Sequence, residues 1–218
     1  MSKANTELLD GLEYVSRGGL KLEKALDYFK ITPESKVCLD SGASTGGFTD
    51  CLLKRGARHV YAIDVGYGQL AWSLRNDERV TTMERTNIRY VTPDMLETKP
   101  ELAVLDLSFI SLGLVLPVIY ELMVDKSEVI CLIKPQFEAG KGKVGKKGVV
   151  RDKETHKEVL DVFIQNAEKA NFVIRGITYS PVKGPKGNIE YLGWLSSYGE
   201  SIKIDTGKIV SESHAELT

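Results

Sequence analysis

The stretch that most limits how this chain can fold is Asp40-Ser41-Gly42-Ala43-Ser44-Thr45-Gly46-Gly47-Phe48. An apolar run, Val37-Cys38-Leu39, enters it, and a helical pattern from Phe48 to Arg55 leaves it. Strand, glycine-rich turn and helix in that order make a cradle for a nucleotide-like group at the open end of a parallel sheet. A second acid, Asp64, closes the run Val60-Tyr61-Ala62-Ile63, 24 residues after Asp40. That offset is close to the one at which an acid on the second strand meets a ribose.

The same alternation continues along the chain. A helical period over Gly19–Phe29, stopped by Pro33, precedes the first strand, Val37–Asp40. Further strands are predicted at Val60–Asp64, Val80–Glu84, Leu102–Asp106, Glu128–Ile133, Phe172–Tyr179 and Glu190–Ser196. Helices are predicted at Thr45–Lys54, Gln69–Arg75, Leu114–Met123 and Lys153–Ala170. The fold class is therefore α/β: a Rossmann-like, mostly parallel seven-stranded sheet with helices on both faces. Only the loop Lys183–Asn188 separates the last two strands. No crossover helix fits there, so the last strand is expected to run antiparallel to its neighbour. Residues 14–198 read as one domain, residues 1–13 as a leader or linker remnant, and Gly199–Thr218 as a polar, frayed tail. Within that tail, Ile202–Ile204 and Lys208–Val210 could pair as a small hairpin.

Composition removes several function classes. A net charge of −1 means that any nucleic-acid binding must use a local patch. The longest apolar run, Phe109 to Tyr120, is broken by Ser111, Gly113 and Pro117, too short to cross a bilayer as a helix. Cys38, Cys51 and Cys131 sit inside apolar patterns and read as buried thiols of a cytoplasmic protein. His59, His156 and His214 show no ligand spacing, so no metal is expected.

The glycine spacing narrows the cofactor. A dinucleotide turn needs G-x-G-x-x-G for backbone approach to a pyrophosphate. Here Gly42, Gly46 and Gly47 give G-x-x-x-G-G, and Ser44 would crowd a pyrophosphate. The wider turn suits a cofactor with an amino-acid tail, S-adenosylmethionine, whose carboxylate can meet N–H groups at the helix start. Asp40, Gly42, Ser44, Thr45, Gly46, Gly47, Phe48 and Asp64 are the expected cofactor contacts. Asp106 and Lys134 end the fourth and fifth strands, and Glu190 begins the last, so all three fall at the rim where such sheets bind ligands.

Five blocks carry a resemblance. They are Ser16-Arg17-Gly18-Gly19-Leu20-Lys21-Leu22, Gly42 to Asp50, Leu107-Ser108-Phe109-Ile110-Ser111, Lys134-Pro135-Gln136-Phe137-Glu138 and Gly187-Asn188-Ile189-Glu190. In this order they resemble the TlyA/haemolysin-A family, FtsJ-like ribosomal RNA 2′-O-methyltransferases, over about Tyr14 to Ser196. The resemblance implies an S-adenosylmethionine-dependent methyltransferase fold and activity on ribosomal RNA or ribosomal subunits, at cytidine. It also implies a catalytic quartet of Lys21, Asp106, Lys134 and Glu190, with Asp106 facing the cofactor too, and it alone supplies the place of Lys21. Lys134 is the expected base, made basic enough by desolvation and the cofactor's positive charge. Family members carry an S4-like RNA-binding domain before the first block, for which Met1 to Glu13 is too short.

Between Lys134 and Lys157 stand eight basic residues against Glu138, Asp152 and Glu154, interleaved with glycines. Lys141, Lys143, Lys146, Lys147 and Arg151, with Arg17, are the expected RNA contacts, widened by Lys183 and Lys186. Phe137 and Tyr191 are candidate base-stacking rings, although core positions suit both. The competing functions are methylation of a protein or small molecule, a membrane-active haemolysin, and an RNA-binding protein without catalysis. The first is disfavoured by the basic loop, the second by the lack of an apolar span, and the third by the quartet.

Overall fold

The computed structural model describes residues 13–217, so the expected leader lies, apart from Glu13, outside the described residues. Helix α1 (Gly18–Phe29) precedes strand β1 (Val37–Ser41), helix α2 (Gly47–Lys54) and strand β2 (His59–Ile63). Next come the single turn α3 (Trp72–Arg75) and strands β3 (Val80–Met83) and β4 (Leu102–Leu105). Helix α4 (Leu116–Leu122), strand β5 (Glu128–Ile133) and the single turn α5 (Pro135–Glu138) follow. The chain ends in helix α6 (Lys153–Lys169), strands β6 (Val173–Tyr179) and β7 (Tyr191–Ser196), and helix α7 (Thr206–Leu217).

The strands form one seven-stranded sheet in the order β3-β2-β1-β4-β5-β7-β6. The first five pair in parallel, and β7 is antiparallel to both β5 and β6. The expected antiparallel last strand is present, and it inserts between β5 and β6. The order reverses between β1 and β4, which opens a crevice at their carboxyl ends.

Alternate residues of each strand feed the two faces. Leu39, Ile63, Leu105, Cys131 and Ile133 pack in the core under α4, α6 and α7. Cys38, Val60, Val104, Ile130 and Leu132 pack in the core under α1 and α2. All three cysteines are buried free thiols.

Two expectations are corrected. Gly199–Thr218 is neither a frayed tail nor a hairpin, because helix α7 occupies Thr206–Leu217. Its inner face is partly polar: Thr206 donates to Asp161 at 2.7 Å, and Ser213 lies 3.2 Å from the Tyr191 hydroxyl. A seam of buried Ser and Thr leaves little hydrophobic period to read. The helix expected from Gln69 starts only at Trp72, because the backbone before it is bonded elsewhere: Gly66 N donates to Asp64 at 2.6 Å and Ala71 N to the Thr45 carbonyl at 3.1 Å.

Candidate active site

The glycine turn closes against the end of β4. Gly42 has φ +86°, and a Cβ there would stand 2.4 Å from the Asp106 carbonyl oxygen. The backbone therefore passes the reacting edge at a distance that only glycine allows. Ser44 donates its N–H to Asp64 at 2.7 Å, so the turn and the second strand end are tied together. At Gly47 a Cβ would lie 2.2 Å from Ser16 Oγ. That close approach seats the start of α1 on the start of α2 and carries Lys21 to the same rim.

Two cavities meet at this point. The larger, about 690 Å³, runs past Ser41, Asp64, Asn87, Arg89, Ser108 and Phe109. The smaller, about 230 Å³, is walled by Arg17, Lys21, Thr45, Phe48, Lys183 and Gly184. Gly42, Ser44 and Asp106 line both. A group stretched over the glycine turn would thus have one end in each cavity and its middle beside Asp106.

The four charged residues of the expected quartet come together as two ion pairs. Lys134 Nζ lies 2.6 Å from Asp106 Oδ1 and donates to Ser108 Oγ at 3.1 Å. Lys21 Nζ lies 2.6 Å from Glu190 Oε2. Glu190 is fully buried, whereas the Asp106 side chain is 24% exposed toward the cavities. Glu190 sits one residue before β7, held at the rim by the antiparallel run of that strand.

Two of the expected cofactor contacts, Asp40 and Gly46, do not line the cavities, and neither do Lys134 and Glu190 of the quartet. Asp40 lines neither cavity; it accepts from Thr49 Oγ1 at 2.7 Å behind the turn, and its Oδ1 has no partner. Burial pushes its carboxyl up to about 7, opposed by the Thr49 hydroxyl and reinforced by the negative charges of Asp106 and Asp64. Gly46 is also off the cavity walls. Its φ of +99° starts α2, and a Cβ there would stand 2.3 Å from Leu74 Cδ1. Gly42, Ser44, Thr45, Gly47, Phe48, Asp64 and Asp106 do line the cavities.

The basic loop adjoins the quartet through Asn188. Its Nδ2 donates to the Gly148 carbonyl at 2.9 Å and its Oδ1 accepts from Val150 N at 3.1 Å, two residues before Glu190. Lys143, Lys146, Lys147 and Arg151 surround a shallow hollow of about 320 Å³. Lys143 is paired with Glu158, while Lys146, Lys147 and Arg151 are exposed. Lys141 lies in the short 3-10 turn Lys141–Lys143. Arg17, exposed at the start of α1, borders the smaller cavity instead.

Several site residues carry no chemical role that the sequence alone reveals. Ser108 holds Lys134, and Gln136 Nε2 donates to Glu190 Oε1 at 3.3 Å. Gly184 closes over Glu190, since a Cβ there would come within 2.0 Å of Oε1. Phe109 is 89% exposed at φ +64° and its ring centroid lies 4.8 Å from that of Phe137. It is the open aromatic face of the site. Tyr191, by contrast, is fully buried with its hydroxyl on His156, which excludes it from base stacking. Ser108, Phe109 and Gln136 all fall inside the motif blocks, which point to their position although not to their partners.

A glycine turn at the switch point, an acid on the second strand and a charged cluster at the strand tips define a Rossmann-like methyltransferase. The chain belongs to the FtsJ-like methyltransferase family, whose description it matches over residues 14–197. It is 50% identical to the Bacillus subtilis protein YqxC, covering 94% of this chain and 76% of that one. It is also 50% identical to the 16S/23S rRNA (cytidine-2′-O)-methyltransferase TlyA of Mycobacterium tuberculosis, over 84% of this chain and 68% of the relative. A solved Lactococcus lactis structure described under a hemolysin name superposes with a TM-score of 0.90 at 45% identity, covering 93% of this chain and 99% of that one.

S-adenosylmethionine is the cofactor of this family, and the residues present fit it. Gly42, Ser44 and Asp106 line both cavities, so a bound group can pass along the turn from one to the other. Both Asp64 oxygens accept one backbone N–H each and keep lone pairs for a ribose diol. Asn87 and Ile88 also line the larger cavity and offer a polar and an apolar side chain for a base. Among the described residues no helix is long and apolar enough to cross a membrane, and no group of three or more His, Cys, Asp or Glu could hold a metal ion.

Proposed function

We propose that this chain methylates the ribose 2′-hydroxyl of a cytidine in ribosomal RNA, with Lys21, Asp106, Lys134 and Glu190 as its catalytic residues. The observation that carries this reading is the Lys134–Asp106 ion pair, whose Asp106 lines both cavities, together with the Lys21–Glu190 pair, whose Lys21 lines the smaller one. When bound, S-adenosylmethionine supplies an electrophilic methyl on a sulfonium. A ribose hydroxyl attacks it well only as it loses its proton. Lys134, in its neutral form, receives that proton at Nζ. The ammonium so formed is held by Asp106 at 2.6 Å and by Ser108 at 3.1 Å. Lys21, fixed by Glu190, faces the smaller cavity and donates to the oxygens of the incoming ribose. The walls of the two cavities restrict both partners, so that alignment supplies part of the rate.

Ribosomal RNA is the substrate class named for the tuberculosis relative, and the exposed cations of the loop favour a phosphate backbone here as well. Phe109 offers a ring for a base beside Lys134. The test is transfer of labelled methyl from S-adenosylmethionine to ribosomal subunits, naked ribosomal RNA and ribosomal protein. Label is expected in RNA, at a cytidine ribose. Label confined to protein would overturn the reading.

A further inference from the structure

We propose that Gln136 is a positioning residue that couples the two ion pairs of the active site, a role that rests on the 2′-O-methyltransferase reading above. Its turn, α5, is placed to do this. Lys134, immediately before α5, reaches Asp106 and Ser108. Phe137 packs on Phe109, and Glu138 accepts from Ser111 Oγ at 2.7 Å and Leu112 N at 2.8 Å. Gln136 alone turns the other way, with Nε2 3.3 Å from Glu190 Oε1. Among the described residues this is the only side-chain hydrogen bond joining the segment Lys134–Glu138 to the Lys21–Glu190 pair.

The state of the amide separates this role from a general packing one. Glu190 fixes which end is which, because a reversed amide would set an oxygen against a carboxylate. That leaves Gln136 Oε1 buried with no hydrogen-bond partner. The amide is therefore oriented by Glu190 and by no other side chain among the described residues. Gly184 completes the clamp, for a Cβ there would stand 2.0 Å from the same Glu190 oxygen. Glu190 is thereby held on one oxygen by Lys21 and on the other by Gln136. The backbone of α5 is closed onto Lys134 by Phe137 N donating to the Lys134 carbonyl at 2.9 Å. Movement of either pair is passed to the other through this one turn.

The test uses single-turnover methyl transfer to RNA at saturating S-adenosylmethionine, with Tm and cofactor calorimetry on the same samples. Gln136→Leu is expected to lower the rate roughly 10- to 100-fold, the scale of a small misplacement of reacting groups. Cofactor affinity stays at the wild-type value, because Gln136 lines neither cavity. Tm falls modestly, because the buried Glu190 Oε1 loses its donor. Gln136→Glu adds a second carboxylate against Glu190; protonating it restores a donor, so its rate relative to wild type climbs as pH falls. Glu190→Gln is the comparator. Wild-type rate in Gln136→Leu with a slowed Glu190→Gln overturns the coupling and leaves the quartet standing. Wild-type rate in both overturns the quartet and the coupling with it. A slowed Gln136→Leu with weaker cofactor binding and a pH-independent Gln136→Glu ratio assigns the residue to the scaffold and also overturns the proposal.

Discussion

The quartet and the basic loop carry charge in opposite ways. In the quartet both lysines are nearly buried, and each stands 2.6 Å from a carboxylate. In the loop, Lys146, Lys147 and Arg151 are exposed and form no ion pair among the described residues, on a segment that carries glycines at 140, 142, 145 and 148. The first arrangement fixes a few atoms at the cost of desolvating them, which suits bond making. The second keeps its cations hydrated and adaptable, which suits a phosphate backbone whose path varies. Sheet topology holds the charged cluster, the proposed role of the loop is to meet the substrate, and the buried Asn188 ties the two together through Val150 N and the Gly148 carbonyl.

Exchanging these roles by mutation tests the contrast. Lys134→Ala carries the largest effect: the single-turnover rate falls roughly 10²- to 10⁴-fold, as for loss of a positioned base. Lys134→Arg does not restore it, because a guanidinium does not give up a proton at accessible pH. Retention of most of the rate in Lys134→Ala breaks the assignment. A triple change, Lys146→Ala, Lys147→Ala and Arg151→Ala, acts on binding alone. RNA affinity drops, and the slope of log affinity against log salt flattens by about 0.7 for each phosphate of a single strand that the loop no longer neutralises. The rate at saturating RNA does not change. A slope equal to that of wild type removes the loop from the substrate path.

Asp40→Asn has the smallest effect on catalysis and sharpens the picture of the turn. Asp40 titrates near 7 in the folded protein, above the 3.8 of its reference state, so the fold takes up a proton that the unfolded chain has lost. Stability contributed by this group is therefore lost as pH rises from about 4 to about 7. Removing the charge raises Tm at pH 8 and leaves it unchanged near pH 4. Each kcal/mol regained corresponds to about 2–4 °C in a chain of this length. Thermal melts at the two pH values decide it, and equal shifts at both would contradict the assignment of a buried charge.

The fold is legible wherever burial has a period. Val37 to Leu39 and Glu128 to Ile133 declare themselves by apolar runs, and the short Lys183–Asn188 loop dictates the antiparallel strand. Helix α7 is hidden because Thr206 and Ser213 pack it through hydrogen bonds. At the site, Asp106 and Lys134 follow from strand ends. Lys21 does not, since its place depends on the approach of Ser16 to Gly47, far apart in the chain. Asp40 and Gly46 show what a motif leaves unsaid: Asp40 accepts from Thr49 of the next helix, and Gly46 stands against Leu74, partners that the glycine pattern does not announce. Gln136 is silent because an amide reads as surface until a buried carboxylate is placed beside it.

The central claim is that the site deprotonates a sugar hydroxyl. Its most direct test maps the modified nucleotide, then presents the same RNA with a 2′-deoxy sugar at that one position. The account predicts full binding and no methyl transfer. Label appearing on the deoxy-substituted nucleotide at an undiminished rate would contradict it.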